Sequence, residues 1–208
     1  MSGAALPDTL DRNLDDSSIP RRYRLTVAQY HQLAEAGVLN EDSRVELIEG
    51  DLIAMPPIGE RHASATRRLN QFFSRHVGDT ALVDVQNPVA LNANSEPQPD
   101  IVLLKPCPDF YEHGHPVPAD GLLLIEVSDS TLRYDRDTKI PLYAKAGIAE
   151  VWILDIALQR LEAYRRPSVD GYREVLYPGL QESIAPVLLP ELAISVKSLF
   201  VGLPSGKA

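Results

Sequence analysis

Two long apolar runs in the middle of the chain dominate its pattern of hydrophobic and polar positions. Residues 101–104 and 122–127 are almost entirely Leu, Ile and Val, which is typical of strands buried on both faces. Asp100 comes directly before the first run, and Glu126 lies near the end of the second. A buried carboxylate is costly unless it is paired, so two of them on neighbouring strands favour a shared cation. Taken singly, Asp100 could instead begin a strand and Glu126 could pair with an arginine.

The first elements of the chain are a predicted helix and a predicted hairpin. Residues 26–36 have a capping-box sequence at their start and a glycine after their end, which predicts a helix. Residues 44–55 predict a hairpin that turns at Glu49-Gly50, because glycine readily adopts the positive φ of such turns. Alternation along the first strand places Glu46 on the same face as Ile48, where an acid needs a partner.

A second helix and a further strand lead to the first apolar run. Apolar residues at helical spacing predict a helix over residues 62–77. His62 lies at its start, where a histidine can cap the helix or pair with a carboxylate. Residues 80–91 predict a strand, and Pro88 restricts it to a sheet edge or a bend because proline cannot donate a ladder hydrogen bond.

The segment after the second apolar run predicts a third helix, from about residue 131 to residue 146. Asp135, Lys139 and Tyr143 recur every four residues, so a helix places them on one face. Pro141 would kink a continuous helix, and it is tolerated best if regular helix begins only near Lys139.

The order of these elements predicts an α/β (α+β) fold with a mixed central sheet and flanking helices. Residues 150–155 predict another strand, and the segments from 158 to 200 predict an antiparallel C-terminal β extension. A chain of 208 residues fits one domain, predicted over residues 22–203. The Asp, Ser and Pro content of residues 1–21 predicts a disordered N-terminal tail.

Composition and charge restrict the expected partners and compartment. No apolar run approaches the roughly 18 residues of a membrane span, and the start of the chain lacks the pattern of a signal peptide. Cys107 is the only cysteine, which excludes an intrachain disulfide and suits a reducing cytoplasm. The net charge of −9 makes strong non-specific DNA binding unexpected. Two predicted helices carry basic residues that could form local strips or solvated faces: Arg61, Arg67, Arg68 and Arg75, and Arg133, Arg136, Lys139 and Lys145.

The loop between the two apolar runs, at about residues 106–119, contains two histidines. His113 and His115 flank Gly114, an arrangement that suggests metal binding. Neither a cysteine nor a carboxylate completes a zinc-type spacing, so the prediction for this segment is a surface loop.

Three carboxylates on predicted strands and one lysine on the following helix form the candidate catalytic set. Glu46, Asp100 and Glu126 offer oxygen ligands without thiols, which suit Mg²⁺ or Mn²⁺. Such an ion polarises a phosphodiester and lowers the pKa of a bound water, while Lys139 could orient that water and offset phosphate charge. Without a metal the carboxylates would repel one another, so convergence of all three favours a functional site.

The ordered motifs of the chain resemble the PD-(D/E)XK nuclease superfamily, above all its Uma-type branch of restriction endonucleases, a domain of unknown function. The resemblance covers about residues 22–200. A Pro-Asp followed by a distant Glu is a weak motif by itself, whereas the ordered set is much more specific. That set comprises Val45 to Gly50, His62, Gln86 to Val89, Pro99-Asp100, Glu126 to Ser128, Asp135, Lys139, Tyr143 and Glu150 to Asp155.

The resemblance implies a restriction-endonuclease-like central sheet that holds a metal ion. Ser128 occupies the position where a lysine is usual, and Lys139 looks like a replacement that reaches the site from the helix behind the strand. The implied metal ligands are Asp100, Glu126, the carbonyl of Val127 and, from the N-terminal part of the fold, Glu46. Supporting roles are implied for His62, Gln86, Ser128, Asp135 and Tyr143.

Three functions from different classes fit these observations. The first is a Mg²⁺- or Mn²⁺-dependent endonuclease that hydrolyses phosphodiester bonds in DNA. The second is a non-catalytic dimer with the nuclease fold that acts as a binding or regulatory module, which the acidic charge and Ser128 favour. The third and weakest is a glycosidase with paired carboxylates, since the chain has a single Trp to offer as a sugar platform. The β extension offers an edge for the expected homodimer.

Overall fold

The computed structural model describes residues 22–40 and 43–201, so the predicted tail over residues 1–21 and the last two residues of the predicted domain lie outside the described residues. The helices are α1 (Val27–Glu35), α2 (Glu60–His76), α3 (Leu132–Tyr134), α4 (Ile140–Ala146) and α5 (Val196–Leu199). A π-helical turn covers Asp135–Lys139, and short 3₁₀ turns cover Gly78–Thr80 and Pro118–Asp120. The strands are β1 (Val45–Ile48), β2 (Asp51–Ala54), β3 (Leu82–Asp84), β4 (Ile101–Leu104), β5 (Gly121–Ser128), β6 (Glu150–Asp155), β7 (Arg160–Ser168), β8 (Gly171–Leu176), β9 (Ser183–Ile184) and β10 (Ile194–Ser195).

A mixed six-stranded sheet forms the centre of the molecule, with the strand order β3-β4-β5-β6-β7-β8. β5 and β6 are parallel, and every other neighbouring pair in this sheet is antiparallel. Two small antiparallel pairs, β1-β2 and β9-β10, complete the strands of the described ranges. The predicted α+β architecture is confirmed, and the antiparallel extension continues the central sheet through β7 and β8.

Two strand predictions differ from the structure at their ends. The strand predicted over residues 80–91 lies at the sheet edge but stops at Asp84, because Gln86 has a φ of 56° that takes it out of the extended conformation. The C-terminal stretch is helical rather than extended at α5. Val196 and Leu199 are both buried there, and residues three positions apart share a face of a helix but not of a strand.

The two apolar runs are buried on both faces, as their composition predicts. Ile101 and Leu103 of β4 belong to one apolar cluster, whereas Val102 and Leu104 belong to another on the opposite side of the sheet. α2 packs against the first side, and α4 against the second. The carboxylates on these strands therefore lie within a sheet that both layers of the fold shield from water.

The N-terminal hairpin forms as predicted and brings one acid into the interior. Glu49 and Gly50 form its turn with φ values of 47° and 84°. A Cβ added at Gly50 would lie 2.6 Å from the Cβ of Arg24, so glycine is also required sterically. Glu46 is buried on the same side of β1 as Ile48.

The third helix is interrupted by the π-helical turn, at the place where the sequence contains a proline. The N–H of Ile140 donates to the carbonyl of Asp135, five residues back. Regular helix begins again at Ile140, so Pro141 lies in the first turn of α4, the part of a helix where proline is tolerated. A continuous regular helix over residues 131–146 is therefore wrong, whereas the helix start near Lys139 is confirmed.

The helices within residues 22–40 and 43–201 are too short or too polar to cross a lipid bilayer.

Candidate active site

The register of β4 and β5 brings the two carboxylates of the apolar runs to the same end of the sheet. Ile101 pairs with Ile125 in this antiparallel ladder, so the preceding Asp100 lies opposite the following Glu126. The N–H of Val127 donates to Asp100 Oδ2 at 2.8 Å, which ties the Asp100 side chain to β5. Residues 26 positions apart therefore meet because the two strands are neighbours.

Two further side chains fix the orientation of the Asp100 carboxylate. His62 Nε2 lies 3.0 Å from Asp100 Oδ2, so a histidine at the start of α2 pairs with an acid as the sequence suggested. Gln86 Nε2 donates to Asp100 Oδ1 at 3.1 Å. Gln86 reaches this position from the segment after β3, where its positive φ turns the chain toward β4.

Lys139 joins the acid of the hairpin to the acid of β5. Its Nζ lies 3.1 Å from Glu46 Oε1 and 3.2 Å from Glu126 Oε1, and all three side chains are at most 3% exposed. The hydroxyl of Tyr143 donates to Glu126 Oε1 at 2.5 Å. Lys139 and Tyr143 thus approach Glu126 from one face of the interrupted helix, as their spacing predicts.

Asp135 and Ser128 interact with each other beside this group. The Ser128 hydroxyl donates to Asp135 Oδ2 at 2.6 Å, and the Thr131 hydroxyl donates to the same oxygen at 2.8 Å. The serine that stands at the usual lysine position of the superfamily therefore anchors the first residue of the π-helical turn, which also carries Lys139.

The charges of the cluster shift the pKa values of its members strongly. Burial raises the pKa of Glu126 to about 8, the positive charge of Lys139 opposes this shift, and the charges of Asp135, Asp100 and Glu46 add to it. Burial alone would lower the pKa of Lys139, but the four surrounding carboxylates raise it overall, so its amine stays protonated. Burial also raises the pKa of Asp135.

The cluster opens into a cavity of about 160 Å³. Asp100, Glu126, His62, Asp135 and Lys139 all line it, so three carboxylates and the amine reach the same space. Glu46 lies behind Lys139, and its buried Oε2 has no hydrogen-bond partner in the described part of the chain. Four carboxylates face one lysine here, an excess of oxygen ligands and negative charge that suits a hard divalent cation such as Mg²⁺ or Mn²⁺.

The structure brings the sequence-predicted side chains into three hydrogen-bonded groups that meet at this cavity, centred on Asp100, on Lys139 with Glu126, and on Asp135, and Val127 joins the first group through its N–H. The Val127 carbonyl as a metal ligand and the catalytic roles of the other residues stay predictions. Three participants had no sequence signal of their own. The N–H of Gln98 donates to Glu46 Oε1 at 2.9 Å, and the Thr131 hydroxyl donates to Asp135. The buried hydroxyl of Tyr134 has no hydrogen-bond partner within the described ranges. Burial and the charge of Glu46 raise the pKa of Tyr134 to about 12.

The mixed sheet, with its paired carboxylates at one end, defines a restriction-endonuclease-like fold. The model of the Uma2 family, described as "putative restriction endonuclease", matches residues 27–197, which is more than half of the chain. The chain therefore belongs to the Uma2 family. This family assignment confirms the resemblance drawn from the ordered motifs.

A solved structure with the same fold comes from Anabaena variabilis ATCC 29413 and is described as a "putative nuclease belonging to DUF820". It superposes with a TM-score of 0.66 at 19% sequence identity, and the match covers 86% of this chain and 99% of that chain. A likeness at this level of identity concerns the fold alone. Comparison with curated proteins gave no match.

Proposed function

We propose that the protein is a metal-dependent endonuclease that hydrolyses phosphodiester bonds in DNA. The observation that carries this proposal is the buried contact of Lys139 with both Glu46 and Glu126, beside Asp100. Burying four carboxylates beside one lysine and one histidine costs folding free energy, and a purely structural role would need only one acid for each base. A role in binding a cation and a phosphate accounts for the excess of carboxylates over bases.

The proposed metal ligands are the carboxylates of Asp100 and Glu126 and the carbonyl of Val127, with Glu46 adding negative charge behind them. Mg²⁺ or Mn²⁺ bound there would polarise the phosphodiester and lower the pKa of a bound water. The hydrogen bonds from His62, Gln86 and the Val127 N–H hold the Asp100 carboxylate in one orientation, which reduces the ordering needed on binding.

Lys139 is the proposed positioning and charge-stabilising group of the reaction. Its protonated amine lines the cavity, where it offsets the negative charge that develops on the phosphate and orients a water oxygen for attack. Hydrolysis then joins the water oxygen to phosphorus and breaks the ester bond to the leaving oxygen, without a covalent intermediate. Tyr143 restrains the Glu126 carboxylate through its hydroxyl, and Glu46 restrains the amine of Lys139.

Contacts with the nucleic acid are proposed to come from the rim of the cavity and from α2. Arg44 lines the cavity and is exposed, and Arg67, Arg68 and Arg75 are exposed on α2. By contrast, Arg136 is paired with the buried Glu162, and Lys139 faces the cluster, so the basic residues of the third helix do not form a strip. Because the net charge is acidic, we expect binding to depend on the metal, and the part of the affinity that these arginines supply should fall as salt is raised. We also propose a homodimer that forms through the β8 edge of the central sheet. The proposed location is the reducing cytoplasm, where Cys107 stays a thiol.

A supercoiled-plasmid assay with Mg²⁺ or Mn²⁺ tests this function. We expect nicking or linearisation by the wild-type protein and a loss of at least about 100-fold in Asp100→Asn and Glu126→Gln, because metal-based charge stabilisation supplies several kcal/mol of the barrier reduction. Glu49→Gln is the matched control, since this exposed carboxylate lies in the same hairpin as Glu46 but outside the cluster. Cleavage that persists unchanged in Asp100→Asn or Glu126→Gln would refute the proposal.

A non-catalytic binding or regulatory module is the second candidate. It is favoured by the fact that Glu126 Oε1 already contacts both Lys139 and Tyr143, which is the arrangement of a closed structural cluster. This candidate predicts no cleavage of DNA or RNA and no divalent-ion binding that depends on Asp100.

A further inference from the structure

Three metal-ligating side chains from separate segments of the chain meet outside the acidic cluster. His31 of α1, Glu96 of the segment before β4 and His115 of the loop before β5 each offer a ligand atom, and these atoms all lie within 4.8 Å of one another. His31 Nε2 lies 2.7 Å from Glu96 Oε1, and the rings of His31 and His115 are in edge contact with centroids 5.7 Å apart.

Backbone hydrogen bonds hold the three segments in this arrangement. The N–H of Val27, at the start of α1, donates to the carbonyl of Ala93 at 2.8 Å. The N–H of Glu96 donates to the carbonyl of Leu47 at 2.7 Å, and the N–H of Ala90 donates to the carbonyl of Pro116 at 2.9 Å. The ligand atoms are therefore positioned by the fold itself, and the side chains alone do not have to gather around an ion.

The Glu96 carboxylate is incompletely paired for a group so deeply buried. Glu96 is 2% exposed and its Oε1 contacts His31, whereas its buried Oε2 has no hydrogen-bond partner among residues 22–40 and 43–201. Within the described ranges, no lysine or arginine forms an ion pair with Glu96. The contact with His31 satisfies only one oxygen of this carboxylate, so the second buried oxygen is left for a cation to bind.

We propose that His31, Glu96 and His115 bind a divalent transition ion of the Zn²⁺ type. Two imidazoles and one carboxylate are a ligand set that Zn²⁺ takes, whereas Mg²⁺ and Mn²⁺ prefer sets made of oxygens. A tetrahedral ion with bonds of about 2.0–2.2 Å separates its ligand atoms by roughly 3.4 Å, which the trio reaches with small side-chain movements. His115 is exposed, so the fourth position is open to water.

The bound ion would fasten α1 and the loop of residues 106–117 to the segment before β4. The site shares no residue with the acidic cluster around Lys139. His113 and His115 raised the question of a metal in the sequence, but the completing ligands are a histidine and a glutamate from distant parts of the chain. His31 and Glu96 are 65 positions apart, which no local spacing rule detects.

Zn²⁺ titration calorimetry on the metal-free protein tests the site, with excess Mg²⁺ present to occupy sites made of oxygen ligands. The variant His115→Ala removes an exposed ligand and should fold normally, and His113→Ala is the matched control because it removes an exposed histidine two residues away. We expect one Zn²⁺ per chain at this site in the wild-type and His113→Ala proteins. Binding should weaken by roughly 100-fold or more in His115→Ala, since even the loss of a residue behind a ligand costs 10–100-fold.

A second readout is the midpoint of thermal unfolding, which Zn²⁺ should raise in the wild-type protein and leave unchanged in His115→Ala, because an ion bound only to the folded state stabilises it. Equal Zn²⁺ affinity in wild-type and His115→Ala protein would overturn the proposal. The absence of Zn²⁺ binding to the wild-type protein would overturn it as well.

Discussion

Lys139 is the residue on which the acidic cluster depends most. Its amine lies within 3.2 Å of two buried carboxylates, one from the N-terminal hairpin and one from β5. Removing one partner of a buried ion pair is far more costly than never forming the pair, because the remaining charge stays buried and uncompensated. The amine therefore keeps the carboxylates together while no metal is bound.

Replacing Lys139 by methionine tests this role, since methionine keeps the unbranched stem and removes the charge. We expect Lys139→Met to lower the free energy of unfolding of the metal-free protein by about 3–5 kcal/mol, measured by urea denaturation. Lys145→Met is the control: its amine lies 3.5 Å from Glu49, both side chains are more than half exposed, and the expected loss is about 0–1 kcal/mol. Equal stability of Lys139→Met and wild-type protein would show that the amine does not hold the cluster.

Glu162 links the π-helical turn to the central sheet and should govern part of the acid sensitivity of the fold. Its carboxylate accepts hydrogen bonds from Arg136 Nε at 2.8 Å and from the Tyr164 hydroxyl at 2.7 Å. Burial alone would raise the pKa of Glu162, but these bonds and the charges of Arg136 and Arg160 hold it below its ordinary value of 4.5. A carboxylate whose pKa is lower in the folded than in the unfolded protein stabilises the fold at every pH above its unfolded pKa. That stabilisation is lost as the pH falls through its folded pKa.

We expect Glu162→Gln to lower the free energy of unfolding at neutral pH. The difference in this free energy between wild-type and Glu162→Gln protein should become smaller below about pH 4.5. Urea denaturation over a series of pH values measures it, with Glu49→Gln as an exposed control that keeps the wild-type profile. A Glu162→Gln profile parallel to the wild-type profile down to the acid limit would contradict this assignment.

The π-helical turn is the element that sets the direction of Lys139. A single π turn is equivalent to one extra residue in an α-helix, and such turns are rare and concentrated at functional sites. Asp135 at its start and Lys139 at its end both line the cavity. Removing the extra residue would restore a regular helix and rotate the preceding residues by about 100° relative to α4.

Deleting Asp137 should therefore turn Asp135 away from the cavity that Lys139 lines. We expect plasmid cleavage to fall at least about 100-fold, because the side chains of the site lose their alignment. Asp137→Ala keeps the length of the turn and removes only an exposed pair with Arg133, so its activity should stay near that of the wild-type protein. Circular dichroism of both proteins checks that the fold is retained. Full activity in the deletion protein would mean that the register of this turn does not matter for the site.

The elements that the sequence predicted best are those whose pattern is local. The capping box at Thr26 and Gln29 and the turn at Glu49-Gly50 form as predicted, because each depends on the chemistry of a few adjacent residues. The π turn was not predicted, although Pro141 marked its position. A proline shows where a regular helix cannot continue, but whether the chain responds with a kink, a break or a π turn depends on which side chains the surrounding fold must bury.

At the scale of the whole molecule, the site assembles from parts that are remote in sequence. Asp100 and Glu126 could be singled out because they break apolar runs, and their meeting follows from strand pairing. The contact of Glu46 with Lys139 could only be expected from the resemblance, since 93 positions separate them and no pattern specifies how the hairpin packs on the sheet. The meeting of His31 with Glu96 and His115 was missed for the same reason, since 65 positions separate His31 from Glu96.

The binding of Mn²⁺ to the acidic cluster tests the central claim most directly. Titration calorimetry on the His115→Ala protein isolates this cluster from the imidazole site. We expect one Mn²⁺ per chain, with affinity reduced at least about 100-fold when Asp100→Asn is added and unchanged when Glu49→Gln is added instead. Failure to bind Mn²⁺, or equal affinity with and without Asp100→Asn, would contradict the claim that these buried carboxylates form a divalent metal site.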